Sequence, residues 1–473
     1  MSLFMPPASF FARRLAFAIC AVAATGCVVG PTYQRPAAPT PAAYKQAQGW
    51  VVATPADGLE RGPWWQAFGD PVLDALMARV EVSNQNLVAA TAAYAQARAL
   101  VRVQRASLFP VLVLNGGATR AGNGGDNARD NGNYQVTIGG SWEPDVWGRL
   151  RRGVDSATAS AEVSAADLAS ARLATQGELA VNYFSLRQSD AQQALLDSTV
   201  EGFRRSLRIT QNRYTAGIVA KTDVLQAQTQ LANVQAESLG LSRQRAELEH
   251  ALAVLVGEPP ASFNIAVAPW TVTVPEVPVG VPSILLERRP DIAAAERLVA
   301  VVNEQIGIAR SAYYPSLNLN ASYGFGASRV ADLFSASSSL WSLGLSAAQA
   351  LFNAGATGAR VDGATAARDA AVARYRQTVL VAFQDVENQL AATRVLQQQL
   401  DLRRQASQAA DDVQAQVLNR YLAGQVGYTE VVTAQATALT ARRALVQLQA
   451  DRQTVAVALI QSLGGGWRAD NAS

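Results

Sequence analysis

Four stretches of the chain alternate apolar and polar residues. Tyr134, Val136 and Ile138 interleave with Gln135, Thr137 and Gly139. Leu317, Leu319, Ala321, Tyr323 and Phe325 interleave with Asn318, Asn320, Ser322 and Gly324. Trp341, Leu343, Leu345 and Ala347 interleave with Ser342, Gly344 and Ser346. The first stretch, Val111 to Thr119, alternates less cleanly. A period of two places the classes on opposite faces of a strand. Strands are therefore predicted over about 111–120, 133–142, 316–325 and 340–347. Each is about nine to eleven residues, enough to cross a bilayer when tilted. A soluble sheet uses the same alternation. Here, however, the second face is Gly, Ser, Asn and Thr with hardly a charge, as a channel lumen requires.

Between the strands the pattern changes to long Ala-, Gln- and Leu-rich runs without internal proline. Asp155 to Tyr214 is one and Ala354 to Tyr421 another. About sixty helical residues rise roughly 90 Å, far beyond an ordinary globular helix. Such helices need lateral partners along their length, and small side chains allow close contact. The chain also repeats itself. Asn212-Arg213-Tyr214-Thr215-Ala216-Gly217 returns as Asn419-Arg420-Tyr421-Leu422-Ala423-Gly424. Phe109-Pro110 returns as Tyr314-Pro315, and Trp147 as Phe352. A lag on the order of 200 residues means two tandem halves rather than a short-repeat array. Each half reads helix, strand, strand, long helix, turn, long helix. Gly217 and Gly424 suit the left-handed residue that ends a helix. Asp223 and Glu430 follow near the start of the returning helix, where acids complement the dipole.

An open sheet edge is untenable in lipid, and four strands cannot close a barrel. The chain is therefore expected to oligomerise. Two copies would give eight strands and a largely filled interior, and three would give twelve and a wider passage. The fold class expected is mainly α with a membrane β-barrel, built from duplicated helix–strand–strand–helix–helix units.

The N-terminus adds an address. Arg13 and Arg14 precede an apolar run, Leu15 to Ala24, too short to span a membrane. Ala24-Thr25-Gly26-Cys27 then resembles a bacterial lipoprotein cleavage box, with Cys27 the acylated residue. The alternative is an ordinary signal cut near Ala24. Both cysteines, Cys20 and Cys27, lie in this region, so the remainder forms no disulfide. The organisation expected is a signal peptide over 1–26 and an anchored, extended tether over 27–66. A first repeat follows over 67–260, a linker over 261–289, a second repeat over 290–467 and a tail over 468–473. The hairpin tips fall at about 212–222 and 419–429.

Composition removes other functions. Charged residues are 16% of the chain and its formal charge is +3, which gives no electrostatic case for nucleic acid. His250 is the only histidine, so no zinc site can be assembled. No phosphate-binding loop or Gly-x-Ser-x-Gly elbow occurs. Glu143, Asp145, Asp291 and Glu296 read as helix caps and junction partners. No catalytic residue, metal or cofactor is expected, apart from covalent lipid on Cys27.

Six motifs in order carry a family resemblance. They are Gly30 to Pro36, Trp64 to Pro71, Ser141 to Arg149, Leu286 to Ile292 with Glu296, Ala309 to Pro315, and Leu463 to Trp467. On the duplicated frame they resemble the TolC-like outer-membrane efflux proteins, in the NodT-type lipoprotein branch serving resistance–nodulation–division pumps. The resemblance implies a homotrimer with a twelve-stranded outer-membrane barrel continuous with a helical periplasmic tunnel. It implies a periplasmic adaptor, a proton-driven inner-membrane transporter and outer-membrane lipid as partners. Adaptor docking is implied at Arg213, Tyr214 and Gly217 and at Arg420, Tyr421 and Gly424. Trp142, Asp145, Trp147 and Gly148 match the family's strand-to-helix junction. The family's gate acid and arginine fall at Thr433 and Ala436, which depart from both types. Glu430 is the nearest acid, and Asp223 is its first-repeat counterpart. A protein-secretion duct and a structural coiled-coil lipoprotein are the competing functions.

Overall fold

A computed structural model describes residues 28–38, 62–122, 130–275 and 289–465. Cys27, the leader, most of the expected tether, part of the linker and the tail lie outside the described residues. The element order is α1 (Pro71–Ser83), α2 (Gln85–Ala106), β1 (Val111–Gly122), β2 (Asp130–Trp142), α3 (Arg149–Thr215), α4 (Lys221–Leu255), α5 (Pro290–Ser311), β3 (Ser316–Ala327), β4 (Ser339–Ala348), α6 (Ala356–Leu422) and α7 (Tyr428–Ser462). The duplication is visible in the lengths. Helices α2 and α5 have 22 residues each, α3 and α6 have 67, and α4 and α7 have 35. Among the described residues no helix is long and apolar enough to cross a membrane.

The chain divides into two compact units. The first takes in Met1–Ala38, Ala93–Ala165 and Ala294–Arg376. It contains one antiparallel sheet in the order β1-β2-β3-β4, so each strand pairs with its sequence neighbour. The strands run one to three residues past the alternating stretches at several ends. Asp145 starts α3 by accepting from the amides of Leu150 and Arg151, both at 2.9 Å. Gly148, at φ +79°, makes the turn before it. Trp142 donates to the Leu108 carbonyl at 2.9 Å, and Trp147 to the Pro315 carbonyl at 2.7 Å. Glu143 pairs with Arg149.

The first unit also holds residues 28–38, which the sequence casts as a tether. They are extended, but docked along their length. Val29 donates to the Trp147 carbonyl at 3.2 Å, and Arg376 to the Ala37 carbonyl at 3.1 Å.

The second unit takes in Pro39–Ala92, Ala166–Ala293 and Gln377–Ser473. Asp70 caps α1, accepting from Val72 and Leu73, and Pro71 fills the first helical position. Asn84 caps α2 and reaches the Leu255 carbonyl at 2.7 Å. Trp64, Phe68, Leu73, Met77, Leu179, Phe184, Leu252 and Val457 form the core. Burying apolar area contributes about 25 cal/mol per Å², which fixes these helices side by side. The segment after α4 is pinned by charge. Asp190 accepts from Arg187 at 3.0 Å and Arg245 at 2.6 Å, and these arginines donate on to the Ala266 and Ile265 carbonyls. Further along, Gln453 of α7 takes Trp270 at 3.0 Å and donates to the Thr273 carbonyl. The segment thus bonds to helices of both repeats.

Candidate functional site

The sheet sorts most of its side chains by class, with Val111, Val113 and Leu340 on the polar face and Arg120 on the apolar one. Pairings Leu114↔Ile138, Ile138↔Tyr323 and Tyr323↔Trp341 place these residues in one row. The same face carries Leu112, Val136, Leu319, Phe325, Leu343 and Leu345. Leu343, Leu345 and Trp341 are exposed at 69%, 70% and 76%. On the other face Asn115↔Thr137, Gly139↔Ser322 and Ser322↔Ser342 align, with a 2.8 Å hydrogen bond between the last two hydroxyls. Within the described strand residues that face is uncharged. An exposed apolar face of this size is unstable in water and suited to lipid.

Aromatic residues mark both ends of the sheet. Where β1 and β3 begin and β2 and β4 end stand Phe109, Tyr313, Tyr314, Trp142, Trp147 and Phe352. Trp147 stacks on Tyr314 at 4.8 Å. At the opposite end Tyr323, Phe325 and Phe334 pack edge to face. Girdles of this kind sit at bilayer interfaces. Among the described residues the outer edges of β1 and β4 have no strand partner.

In the second unit the two hairpin tips meet. Both long helices end in the same motif. Ile218 donates to the Arg213 carbonyl and Gln425 to the Arg420 carbonyl, each at 2.9 Å, with Gly217 and Gly424 left-handed at φ +72° and +76°. Their side chains then differ. Arg213 reaches across to donate to the Tyr421 and Leu422 carbonyls at 2.9 and 3.2 Å, and its guanidinium lies 4.7 Å over the Tyr421 ring. It thereby caps the C-terminus of α6, where cations are favoured. Tyr421 packs edge to face on Tyr428 at 5.4 Å. Burial first, then nearby Tyr421 and Asp223, pushes the Tyr428 phenol up to about 12, while its bond to Thr210 opposes this.

Arg213 and Tyr421 are therefore engaged with each other rather than turned outward, as a docking role at both would require. Tyr421 is 3% exposed and Tyr214, its counterpart, 44%. Arg420, Gly217 and Gly424 remain exposed. Of the gate positions, Asp223 is half-buried near Tyr428, and Glu430, Thr433 and Ala436 are exposed. Glu430 and Thr433 line an open groove of about 560 Å³ with Ala406, Ala410 and Val413 of α6. The Thr433, Thr437 and Thr440 hydroxyls all donate to carbonyls one turn back. Thr433 and Ala436 form no ionic pair. Tyr428 and Thr210 belong to the contact and were missed in sequence. The available signal was the break in the repeat, since Tyr428 stands where the first half has Lys221. Among the described residues no cluster of metal-ligating side chains occurs.

The family model for outer membrane efflux proteins matches residues 76–258 and 281–465, one block per repeat. The pyoverdine export outer membrane protein OpmQ of Pseudomonas aeruginosa is 32% identical over 432 residues, spanning 89% of this chain and 91% of that protein. The toluene efflux pump outer membrane protein TtgC of Pseudomonas putida is 31% identical over 466 residues, spanning 96% and 95%. The solved outer-membrane channel OprN superposes with a TM-score of 0.83 at 29% identity, over 93% of this chain and all of that one.

Proposed function

The chain belongs to the outer membrane efflux protein family, and from that premise we propose how it builds and works its channel. It is an outer-membrane channel subunit of an efflux pump and a conduit rather than an enzyme. The observation that carries the assembly is the four-stranded sheet with one apolar face and two edges unpaired among the described residues. Edge β4 of one copy pairs with edge β1 of the next, continuing the antiparallel order. Three copies close a twelve-stranded barrel whose uncharged face lines the passage. The aromatic rows then lie at the two bilayer interfaces. Cys27 carries the lipid anchor. The remaining partners are a periplasmic adaptor and a proton-driven inner-membrane transporter, which supplies the energy. The cargo is a small toxic compound or drug, in keeping with a relative named for toluene efflux. A lining of amide and hydroxyl groups does not sort cargo by charge.

The hairpin tips form the gate. Arg213 latches the second-repeat hairpin to the first, and Asp223 acts through Tyr428. Glu430 stands at the passage, with Thr433 and Ala436 as an uncharged lining. The exposed Tyr214 and Arg420, beside Gly217 and Gly424, face the adaptor. Planar-bilayer recording tests this. The parent protein gives a small, noisy current, and Arg213→Ala raises it several-fold. An unchanged current removes Arg213 from the gate, and no current from either contradicts the conduit.

A further inference from the structure

Helix α2 carries three arginines and no acid. Arg98, Arg102 and Arg105 are spaced by four and three residues, so they share one face. Arg98 lies 5.8 Å over the Tyr94 ring, and Arg102 donates to the Arg98 carbonyl at 3.5 Å. Among the described residues none of the three pairs with an acid. The second repeat answers with a pair of its own. Arg310 ends α5 as Arg105 ends α2, and Arg360 stands near the start of α6. A Cβ on Gly358 would stand 3.5 Å from the Tyr313 hydroxyl, which brings those two helix ends together. Gln104 lies 3.4 Å from a Cβ on Gly153 and joins α2 to α3 in the same way. Arg102, Arg105, Arg310 and Arg360 are all exposed.

Most other charges in these turns are matched. Arg149 pairs with Glu143, Arg151 with Asp145 and Arg152 with Glu304. Among the described residues Asp155 and Asp362 are the acids left without a pair here. Five arginines against two acids leave this end of the sheet cationic. A cation in the last turn of a helix complements its dipole, which accounts for Arg105 and Arg310. The effect does not extend to Arg102 or Arg360, which lie beyond the terminal turns.

Depth supplies the missing reason. Arg105 comes four residues before Phe109, and Arg310 four before Tyr314, about 6 Å of helical rise. Phe109 and Tyr314 are exposed and belong to the aromatic row that marks a bilayer interface. The headgroup layer outside the hydrocarbon is about 5–8 Å deep. The guanidinium groups therefore fall at the level of lipid phosphates, which arginine binds through two parallel hydrogen bonds.

We propose that Arg102 with Arg105, and Arg310 with Arg360, form two sites for the headgroup phosphate of an anionic phospholipid, one site in each repeat. This rests on the reading that the sheet lies in a bilayer. A zwitterionic lipid offers the same phosphate, but its ammonium group gains nothing from a cationic surface.

The test uses the assembled mature chain, extracted in detergent, stripped of lipid and titrated with phosphatidylglycerol or phosphatidylcholine of the same acyl chains. Native mass spectrometry reads the lipid that each assembly retains. The parent is expected to hold phosphatidylglycerol severalfold better than phosphatidylcholine. Arg105→Gln with Arg310→Gln removes one cation from each site. It lowers phosphatidylglycerol retention about fivefold and leaves phosphatidylcholine retention unchanged. Arg105→Lys with Arg310→Lys keeps the charge and loses less. Equal retention of the two lipids by the parent overturns the proposal and leaves the barrel standing. So does a glutamine variant that keeps its lipid while its reversal potential in a salt gradient moves toward cations, because the arginines then line the passage. A chain that takes up neither lipid and stays soluble without detergent overturns the barrel reading itself.

Discussion

Tyr214 and Tyr421 occupy the same place in the two repeats, yet one faces out and the other is sealed beneath Arg213. Burial leaves the Tyr421 hydroxyl without a hydrogen-bond partner among the described residues. An unmet buried hydroxyl costs about 1–3 kcal/mol, and opening the latch to water would recover it. Tyr421→Phe is therefore expected to tighten the latch by about 1 kcal/mol, seen as a lower open probability in single-channel records. Tyr428 supplies a second expectation. Its phenol is pushed up to about 12 from an ordinary 10.0. The folded state thus keeps a proton that the unfolded chain loses above pH 10. The stability this group contributes is full below pH 10 and declines as pH rises toward 12. Thermal unfolding followed from pH 9 to 12 should show that decline, and Tyr428→Phe should flatten it. At this scale the sequence was a partial guide. Helix-ending glycines follow from backbone geometry and were legible. The Arg213–Tyr421 contact joins residues from different halves, and no local pattern encodes it. Alignment to the family's gate pointed to Thr433 and Ala436, whose own chemistry forms no lock.

The elements were far more legible, because period and length are local properties. Alternation gave the strands, and the repeat supplied the register of β1, whose Val111 and Val113 fall on the polar face. At β1 and β3 the strands run on through Ala121 and Gly122 and through Gly326 and Ala327, which carry little polar or apolar signal. Residues 28–38 read as an extended tether for a related reason. Proline and alanine composition describes an extended chain, while its docking depends on Gly148, Gly30 and Gly307 meeting in space. The two sheet faces can be separated experimentally. Leu343→Arg places a charge on the apolar face and should cost about 2–4 kcal/mol near mid-bilayer, read as a lower heat-dissociation temperature in detergent. Ser342→Arg, its neighbour on the other face, should leave that temperature within a few degrees. Equal losses would mean that both faces are packed in protein.

For the whole molecule, the decisive fact is that the sheet is unfinished. One face is largely apolar, the other largely hydroxyl- and amide-lined, and neither edge strand has a strand neighbour among the described residues. Hydrocarbon offers no partner to a bare strand edge, so further copies are proposed to supply the missing strands. Family membership places the chain in an outer-membrane efflux channel. The strand arithmetic makes three copies the smallest closed assembly with an open passage. Native mass spectrometry of the mature protein, released from detergent micelles, reads that number directly. The account predicts a species of three chains that survives mild activation. A single chain that stays soluble once the detergent is withdrawn would contradict it.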